Sequence, residues 1–393
     1  MAAEPWQPAS RALLAGNIAI GSGVMVVAGS LNDLSHALQV SPAVAGQLIT
    51  AGAVAMGLGA PLLAAALAGW DRRRLLALAL LWYALGHAAA ALMPNFAALL
   101  PVRVLGVLAA AVFTPQAAAV INVLAPPERR GRAITTVFLG WSLASVLGMP
   151  MNGFLAESFG WRWAFGAVAL LSTAAALVVW RTVPDGVKPA ALSLASWRQA
   201  LTHPVLMGMV LVTALSSAGQ FTLFSYFAPY YRQALGAGAT QVSLLFFWFG
   251  AFGLLGNVLL SRWVDRLGAA RCVALSLSLM ALSLLLWPLT GADGLLGGVA
   301  GMAVVLVPWA LGCFSCNSGQ QARLSHSAPA FAPALLALNT SAIYAGQAAG
   351  AAGGGALLAA RGFAPLSWAG LAWMIAALLL STWAAQQMKV VHA

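Results

Sequence analysis

Asp71-Arg72-Arg73-Arg74 runs straight into Leu75-Leu76-Ala77-Leu78-Ala79-Leu80-Leu81-Trp82-Tyr83-Ala84-Leu85-Gly86-His87-Ala88-Ala89-Ala90-Ala91-Leu92-Met93. Four charges stand side by side, and residues 75–93 then carry no Asp, Glu, Lys or Arg. A helix over 75–93 rises about 28 Å at ~1.5 Å per residue, which matches a hydrocarbon core of about 30 Å. The stretch predicts a membrane crossing with a basic anchor at one end. It does not alternate polar with apolar residues as a barrel strand would. A helix is then the backbone form that closes its own hydrogen bonds in lipid.

The rest of the chain repeats this pattern. Of 393 residues, 62% are apolar and 7% charged. Soluble domains carry about 45–50% apolar and about 25% charged residues. The composition excludes a soluble globular domain, a disordered chain and a nucleic-acid binder. Apolar runs near 13–35, 43–67, 75–93, 96–121, 134–156, 163–180, 205–230, 241–262, 272–290, 295–317, 334–358 and 365–385 predict twelve spans. The first run has no basic n-region and is read as a retained span rather than a signal peptide. Cys272, Cys313 and Cys316 are too few for a disulfide framework. The Cys313-x-x-Cys316 spacing stands alone in an apolar run and reads as packing, not as a metal or redox pair.

Charge placement gives direction. Fifteen of the 19 Lys and Arg fall in segments on one side, when the N-terminus starts there. Arg162, Arg232 and Arg361 fall on the other side, and Arg103 lies inside span 4. This asymmetry predicts both termini in the cytoplasm, and it accounts for the net charge of +11 without nucleic acid. Arg181 to His203 is the longest polar stretch and reads as a linker, with Ser196–Leu201 as an interfacial helix. It divides the chain into a bundle over 1–180, a cytoplasmic linker over 181–204 and a second bundle over 205–393. Asp71-Arg72 and Asp265-Arg266 lie 194 residues apart, each after the second span of its half. The predicted fold is an all-α polytopic membrane protein of twelve transmembrane helices in two pseudo-symmetric six-helix bundles. In that architecture a ligand binds near mid-depth between the halves, and rocking of the halves alternates access.

Four segments carry chemistry. The first is the loop Ala68-Gly69-Trp70-Asp71-Arg72-Arg73-Arg74 with its second copy Arg262-Trp263-Val264-Asp265-Arg266-Leu267-Gly268-Ala269-Ala270-Arg271. The second is Arg103-Val104-Leu105-Gly106. The third is Gly140, then Gly148-Met149-Pro150-Met151-Asn152-Gly153, then Gly160-Trp161-Arg162. The fourth is span 11, with Asn339, Tyr344, Gly346, Gln347, Gly350 and Gly354. Together they resemble the major facilitator superfamily, specifically its twelve-span drug:proton antiporter branch, near bacterial sugar-efflux and multidrug-efflux permeases. The resemblance covers essentially the whole chain. The family's loop pattern, Gly-x-Leu-Ala-Asp-Arg-x-Gly-Arg-Arg, is degraded at Asp71 and fuller at Asp265. The span-4 arginine is present, with its glycine one position early. The exporter signature Gly-x-x-x-Gly-Pro-x-x-Gly appears in a Gly-x-Pro form, with Asn152 where many relatives have glycine.

Physical roles follow for these residues, each with an ordinary alternative. Asp71 with Arg72, and Asp265 with Arg266, Gly268 and Arg271, can latch the cytoplasmic side through an ion pair or a helix end; the alternative is topology anchoring by arginine alone. Gly148, Pro150 and Gly153 let span 5 pack closely and hinge. Arg103 is costly at depth unless paired; it serves a proton relay or substrate, or it snorkels outward. Gly346, Gly350 and Gly354 recur every four residues as a packing seam. Asn152, Asn339, Tyr344 and Gln347 line a cavity or bond between helices. Gln116, Gln220, Tyr226, Trp248, Trp309 and Asn317 complete a candidate neutral, amphipathic site, with core packing as the alternative for the tryptophans.

The spans hold no carboxylate at mid-depth, which disfavours a cationic substrate. A proton would have to use Asp33, near the outer end of span 1, or His87, or an indirect route through Arg103. The sequence thus predicts a secondary active transporter, not an enzyme, with no cofactor beyond a possible proton gradient. It would export a small neutral or amphipathic compound by proton antiport; the alternative is a proton-independent facilitator or importer. Its expected partners are a small-molecule substrate and the lipid bilayer, with no nucleic acid, and it is expected to act as a monomer in the bacterial inner membrane.

Overall fold

Lipid offers backbone groups no partner, so a chain this apolar must close its hydrogen bonds within each crossing. The computed structural model describes residues 6–67, 69–126, 130–188, 198–199, 201–291, 294–328 and 331–392, and its long elements are all helices. The first six crossings are α1 (Trp6–Gly29), α2 (Pro42–Ala66), α3 (Arg72–Ala91), α4 (Phe96–Leu124), α5 and α6 (Trp161–Thr182). Three pieces make up α5: Arg130–Leu143, a π-turn Ala144–Gly148 and Met149–Phe159. The second six are α7 (Pro204–Phe224), α8 (Ala239–Leu267), α9 (Ala269–Leu286), α10 (Gly298–Ser327), α11 (Ala332–Arg361) and α12 (Ala364–His392). Of the predicted Ser196–Leu201 helix, residues 198, 199 and 201 are helical and the other three lie outside the described residues.

Among the described residues, eleven helices are long and apolar enough to cross a bilayer by length and composition. The twelfth crossing, α11, has 30 residues but is diluted by its glycines, Asn339 and Gln347. Its stability comes from packing. A methyl group on Gly346, Gly350 or Gly354 would fall 2.1 to 2.4 Å from the carbonyl oxygens of Ala214, Ala218 and Thr222 on α7. The four-residue repeat is therefore a seam on which two backbones touch.

The helix ends follow their sequences. Asp71 caps α3 through the Arg74 N–H, and Asn95 caps α4 through the Ala98 N–H. The π-turn immediately precedes Pro150, whose missing N–H leaves a carbonyl of the preceding turn unbonded; the wider turn absorbs that break. Several boundaries differ from the sequence expectation. Span 1 does not run on to residue 35: α1 stops at Gly29, and Leu31–Ala37 forms a separate short helix. Span 10 runs on past residue 317 to Ser327. Span 7 does not run through to residue 230: α7 stops at Phe224, and Phe227–Gln233 forms a separate short helix. Span 9 ends in a 3₁₀ turn at Trp287–Thr290.

The internal repeat is visible in packing. In the first half α1 packs on α5 and α6, α3 on α4 and α6, and α2 on α4. Each pairing recurs six crossings later: α7 on α11 and α12, α9 on α10 and α12, and α8 on α10. Between halves, α2 packs on α11 and α5 packs on α8, and these two interfaces also exchange under the repeat. Twelve alternating crossings put the start of α1 and the end of α12 on one face, the terminal face; the opposite face is distal.

The contacts joining the halves run from the distal face to mid-depth. The short helix Leu31–Ala37 meets Phe227–Gln233. Tyr226, at the break after α7, places its hydroxyl against Gly46 of α2 and Gly355 of α11 and donates to the Ala351 carbonyl at 2.8 Å. Gly57 lies against Ser341, Tyr344 and Ala345. At Gly250 of α8, a Cβ would sit 2.5 Å from Val146 Cα of the π-turn, so only glycine fits there without displacing backbone. The described parts of α4 and α10 form no interface with each other.

Gly350→Ala should destabilise the protein by about 1–3 kcal/mol, because the added methyl meets helix backbone. Gly353→Ala, where nothing lies within 4 Å, should be neutral or better. Thermal melting of the detergent-solubilised variants checks the contrast. Equal melting of the two would contradict the seam.

Candidate functional site

The first cluster surrounds Arg103, which is buried between α1, α3, α4 and α6 with 4% of its surface exposed. Its Nη1 donates to His87 Nε2 at 2.8 Å, and its Nη2 donates to the Gly23 carbonyl at 2.8 Å and, more weakly, to that of Val24 at 3.4 Å. A guanidinium can only donate, so Nε2 of His87 must accept. The ring's hydrogen is then on Nδ1, which donates to the Tyr83 carbonyl at 2.8 Å. Tyr83 in turn donates to the Ile20 carbonyl at 2.9 Å, and the Phe165 ring lies 5.9 Å from the guanidinium carbon. Arg103 does not snorkel: its bonds go to α1 and α3, within its own bundle. Neutral acceptors, not a carboxylate, hold the charge.

The second cluster is a pair of related polar ties at mid-depth. In the first half Asn17 of α1 donates to the Val137 carbonyl of α5 at 2.9 Å and accepts from Thr114 of α4 at 2.8 Å. Trp141 of α5 donates to the same Thr114 hydroxyl at 3.4 Å. In the second half Thr213 of α7 donates to Asn339 of α11 at 2.6 Å. Gln320 of α10 donates to the Met209 carbonyl at 2.8 Å and to the Thr213 hydroxyl at 3.2 Å. Spans 1, 4 and 5 are thus tied as spans 7, 10 and 11 are. Asn17, Thr114, Thr213 and Gln320 were not singled out from sequence. Asn17 carried a signal, as an isolated amide halfway along its span; Thr114 and Gln320 stand among other polar residues, so the sequence did not set them apart.

The remaining candidates separate. Asn339 joins the second tie, and its Nδ2 has no hydrogen-bond partner; the same holds for Gln320 Oε1, Gln220 Nε2 and Asn317 Oδ1. Asn152 donates to the Ser22 carbonyl at 2.9 Å and leaves its Oδ1 free of partners. Tyr344 and Gln347 are buried on α11, and Gln116 is half-buried on α4. Trp309 packs in a stack with Phe227 and Trp287 and lines no opening. Trp248 faces sideways: it is 40% exposed, donates to the Ala303 carbonyl at 2.9 Å, and borders a crevice of about 390 Å³ between α8 and α10. Tyr226 belongs to the seam between halves. Among the described residues no Asp or Glu is buried.

On the terminal face, Asp71 turns toward its own half. It accepts from the Arg74 N–H at 3.0 Å and from the Gly186 N–H, at the start of the linker, at 2.7 Å. Partial burial opposes its ionisation. These two N–H groups, the Arg74 charge and Asp185 outweigh that and hold its carboxyl below the ordinary value. Arg73 pairs with Asp185 at 2.9 Å, and Arg72 donates to the Leu67 and Trp70 carbonyls. The loop therefore clips the linker to the first bundle. Arg266 and Arg271 are exposed, Gly268 turns the chain at φ +80°, and the Asp265 side chain lies outside the described residues. In α5, a Cβ on Gly148 would sit 2.2 Å from Ser22 Oγ, and Gly153 lies against the Gly29 carbonyl. At the distal face Asp33, beyond the end of α1, accepts the Trp161 N–H at the start of α6. Burial raises its carboxyl above the ordinary value, partly offset by that bond and by His36 and Arg162.

Two related helical bundles that meet around polar groups at mid-depth are a transporter design. The sequence profile of the Major Facilitator Superfamily matches residues 13–351. The chain belongs to this superfamily. It is 34% identical over 252 residues to a chloramphenicol resistance protein of Streptomyces lividans, covering 63% of this chain and 64% of that one. It is 31% identical over 232 residues to a probable sugar efflux transporter of Helicobacter pylori, covering 59% of each. The crystal structure of a D-xylose–proton symporter superposes with a TM-score of 0.75 at 19% identity, over 95% of this chain and 96% of that one, and shows the shared fold. The protein is a multi-pass membrane transporter of this superfamily, not an enzyme.

His87→Leu removes the acceptor of a buried guanidinium and should cost about 1.5–3 kcal/mol. His87→Gln, which keeps an acceptor, should recover part of that loss. Melting curves of both variants test it, and a Leu variant as stable as the parent would show that the Arg103–His87 bond contributes nothing.

Proposed function

We propose that this protein exports a small neutral or amphipathic organic compound from bacterial cells by alternating access, driven by inward movement of protons. The observation that carries the neutral substrate is the absence of any buried carboxylate among the described residues, alongside buried amides with spare hydrogen-bonding capacity. A cation at mid-depth would lack compensation there, while a neutral ligand could use the amides. The names of two relatives, a chloramphenicol resistance protein and a probable sugar efflux transporter, support export of such a compound.

In this reading residues 1–180 and 205–393 move as two bodies joined by the linker 181–204. The terminal face, which carries most of the Arg and Lys, is cytoplasmic, and the protein acts as a monomer in the inner membrane. Gln116, Asn152, Gln220, Asn317, Asn339, Tyr344 and Gln347 face the substrate. Gly148, Pro150 and Gly153 let α5 flex against α1. Asp71, Arg72, Asp265, Arg266, Gly268 and Arg271 govern closure of the cytoplasmic side. Asp33 takes the proton, and Arg103 with His87 holds the first bundle rigid. The absence of a buried carboxylate also supports a second reading, a facilitator that needs no proton.

Everted vesicles separate the two. With a respiration-acidified lumen, addition of chloramphenicol or a disaccharide should raise lumenal pH as protons leave in exchange. Asp33→Asn should abolish that signal while leaving substrate counterflow intact. Substrate movement with no proton signal in the parent would favour the facilitator.

A further inference from the structure

The distal face holds an ion pair that joins the two bundles. Glu157, near the end of α5, pairs with Arg232 on the short helix Phe227–Gln233 that follows α7. Both side chains are about a third or less exposed. The other ion pair among the described residues, Arg73 with Asp185, ties the first bundle to its own linker and leaves the second bundle free. Beside the Glu157 pair lies a partly open space of about 10 Å³, room for a single water. Its walls include Asp33, Glu157, Ser30 and Asn32 from the first half and Val242 and Ser243 from the second. Two carboxylates thus share one water-sized space at the joint between bodies that alternating access requires to separate.

We propose that Glu157 and Arg232 form a proton-releasable lock on the distal face. With Glu157 ionised the pair binds the bundles together and keeps the distal side closed. A proton from the distal solvent, taken up through the shared space, neutralises Glu157, leaves Arg232 without its partner and frees the two bodies to part. The groups facing this step are Arg232 from the second bundle, Asp33 across the space, and His36 and Arg162, which bear on Asp33. The α8 residues in the wall are Ala239, Val242 and Ser243 and carry no charge. Asp33 meanwhile receives the Trp161 N–H, so a proton in the space bears on the α6 start as well. Acid on the distal side then opens the distal side. The lock rests on the alternating-access reading but not on any substrate.

The test needs no transport. Cys272, Cys313 and Cys316 are replaced by alanine and Ser30 by cysteine, and the protein is reconstituted in liposomes. A membrane-impermeant pyridyl disulfide, whose ring protonation keeps it reactive at acid pH, probes Ser30→Cys from the distal side, with each rate divided by that of an exposed control cysteine at the same pH. At pH 8 labelling should be slow, and acidification to pH 5.5 should speed it about two- to five-fold, the range a partly exposed ion pair supports. Glu157→Gln should label at the fast rate at both pH values. The exchanged pair, Glu157→Arg with Arg232→Glu, should restore slow labelling at pH 8 and show that the Gln variant is not simply misfolded. Equal labelling of parent and Glu157→Gln at pH 8, or fast labelling in the exchanged pair, would overturn the lock. A pH-independent parent would overturn its release by protons. If the lock behaves as expected but vesicles move no substrate, the transport reading fails and the lock stands.

Discussion

The structure depends on one constraint: in hydrocarbon, each helix must satisfy its own backbone, so helices can recognise one another only by shape and by a few polar ties. Shape is supplied by glycine. The faces of α11 on α7, of α5 on α1, and of α8 on the π-turn of α5 are all places where a single methyl group would strike a neighbour. The polar ties are few and placed at mid-depth. Within each half, three spans share one amide–hydroxyl network. Between halves, much of the contact is apolar.

The same constraint explains the treatment of charge. Arg103 is one of few ionic groups the chain buries deeply, and it is surrounded by donors' counterparts rather than by an acid: an imidazole nitrogen and main-chain carbonyls. That arrangement fixes α1 against α3 and α4, and no Asp or Glu among the described residues is buried. The described acids stay at the faces. Asp71 and Asp185 bind the linker to the first bundle, while Asp33 and Glu157 stand at the distal joint. Each face thus has its own electrostatic fastening. Among the described residues, only the distal one crosses between halves.

Much of this was legible in the residues. Twelve apolar runs, the uneven distribution of arginine and the paired Asp-Arg loops predict the helical fold and its repeat, and the glycine period on span 11 predicts a seam. What was not legible has physical reasons. The break at Ser225-Tyr226 lies four residues before Pro229, which cannot bond back to the Ser225 carbonyl; the sequence reading passed over that signal, and packing of Tyr226 between α2 and α11 accompanies the break. Trp248 and Trp309 looked alike in sequence because depth alone does not tell which side of a helix faces lipid, core or cleft. Glu157 and Arg232 each lie in unremarkable loop-end positions, and only the fold brings them together.

The central claim is that two bodies, fastened at the distal face, exchange which side they close. Spin labels on Asn32 and Ala239 across the distal joint, and on Leu67 and Ala328 across the terminal face, report both openings in one reconstituted sample by electron–electron dipolar distance measurement. The account predicts a short, narrow distal distance and a longer, broader terminal one at pH 8. On acidification the distal distance should grow as the terminal one shrinks. Two distances that stay fixed, or that lengthen together, would contradict it.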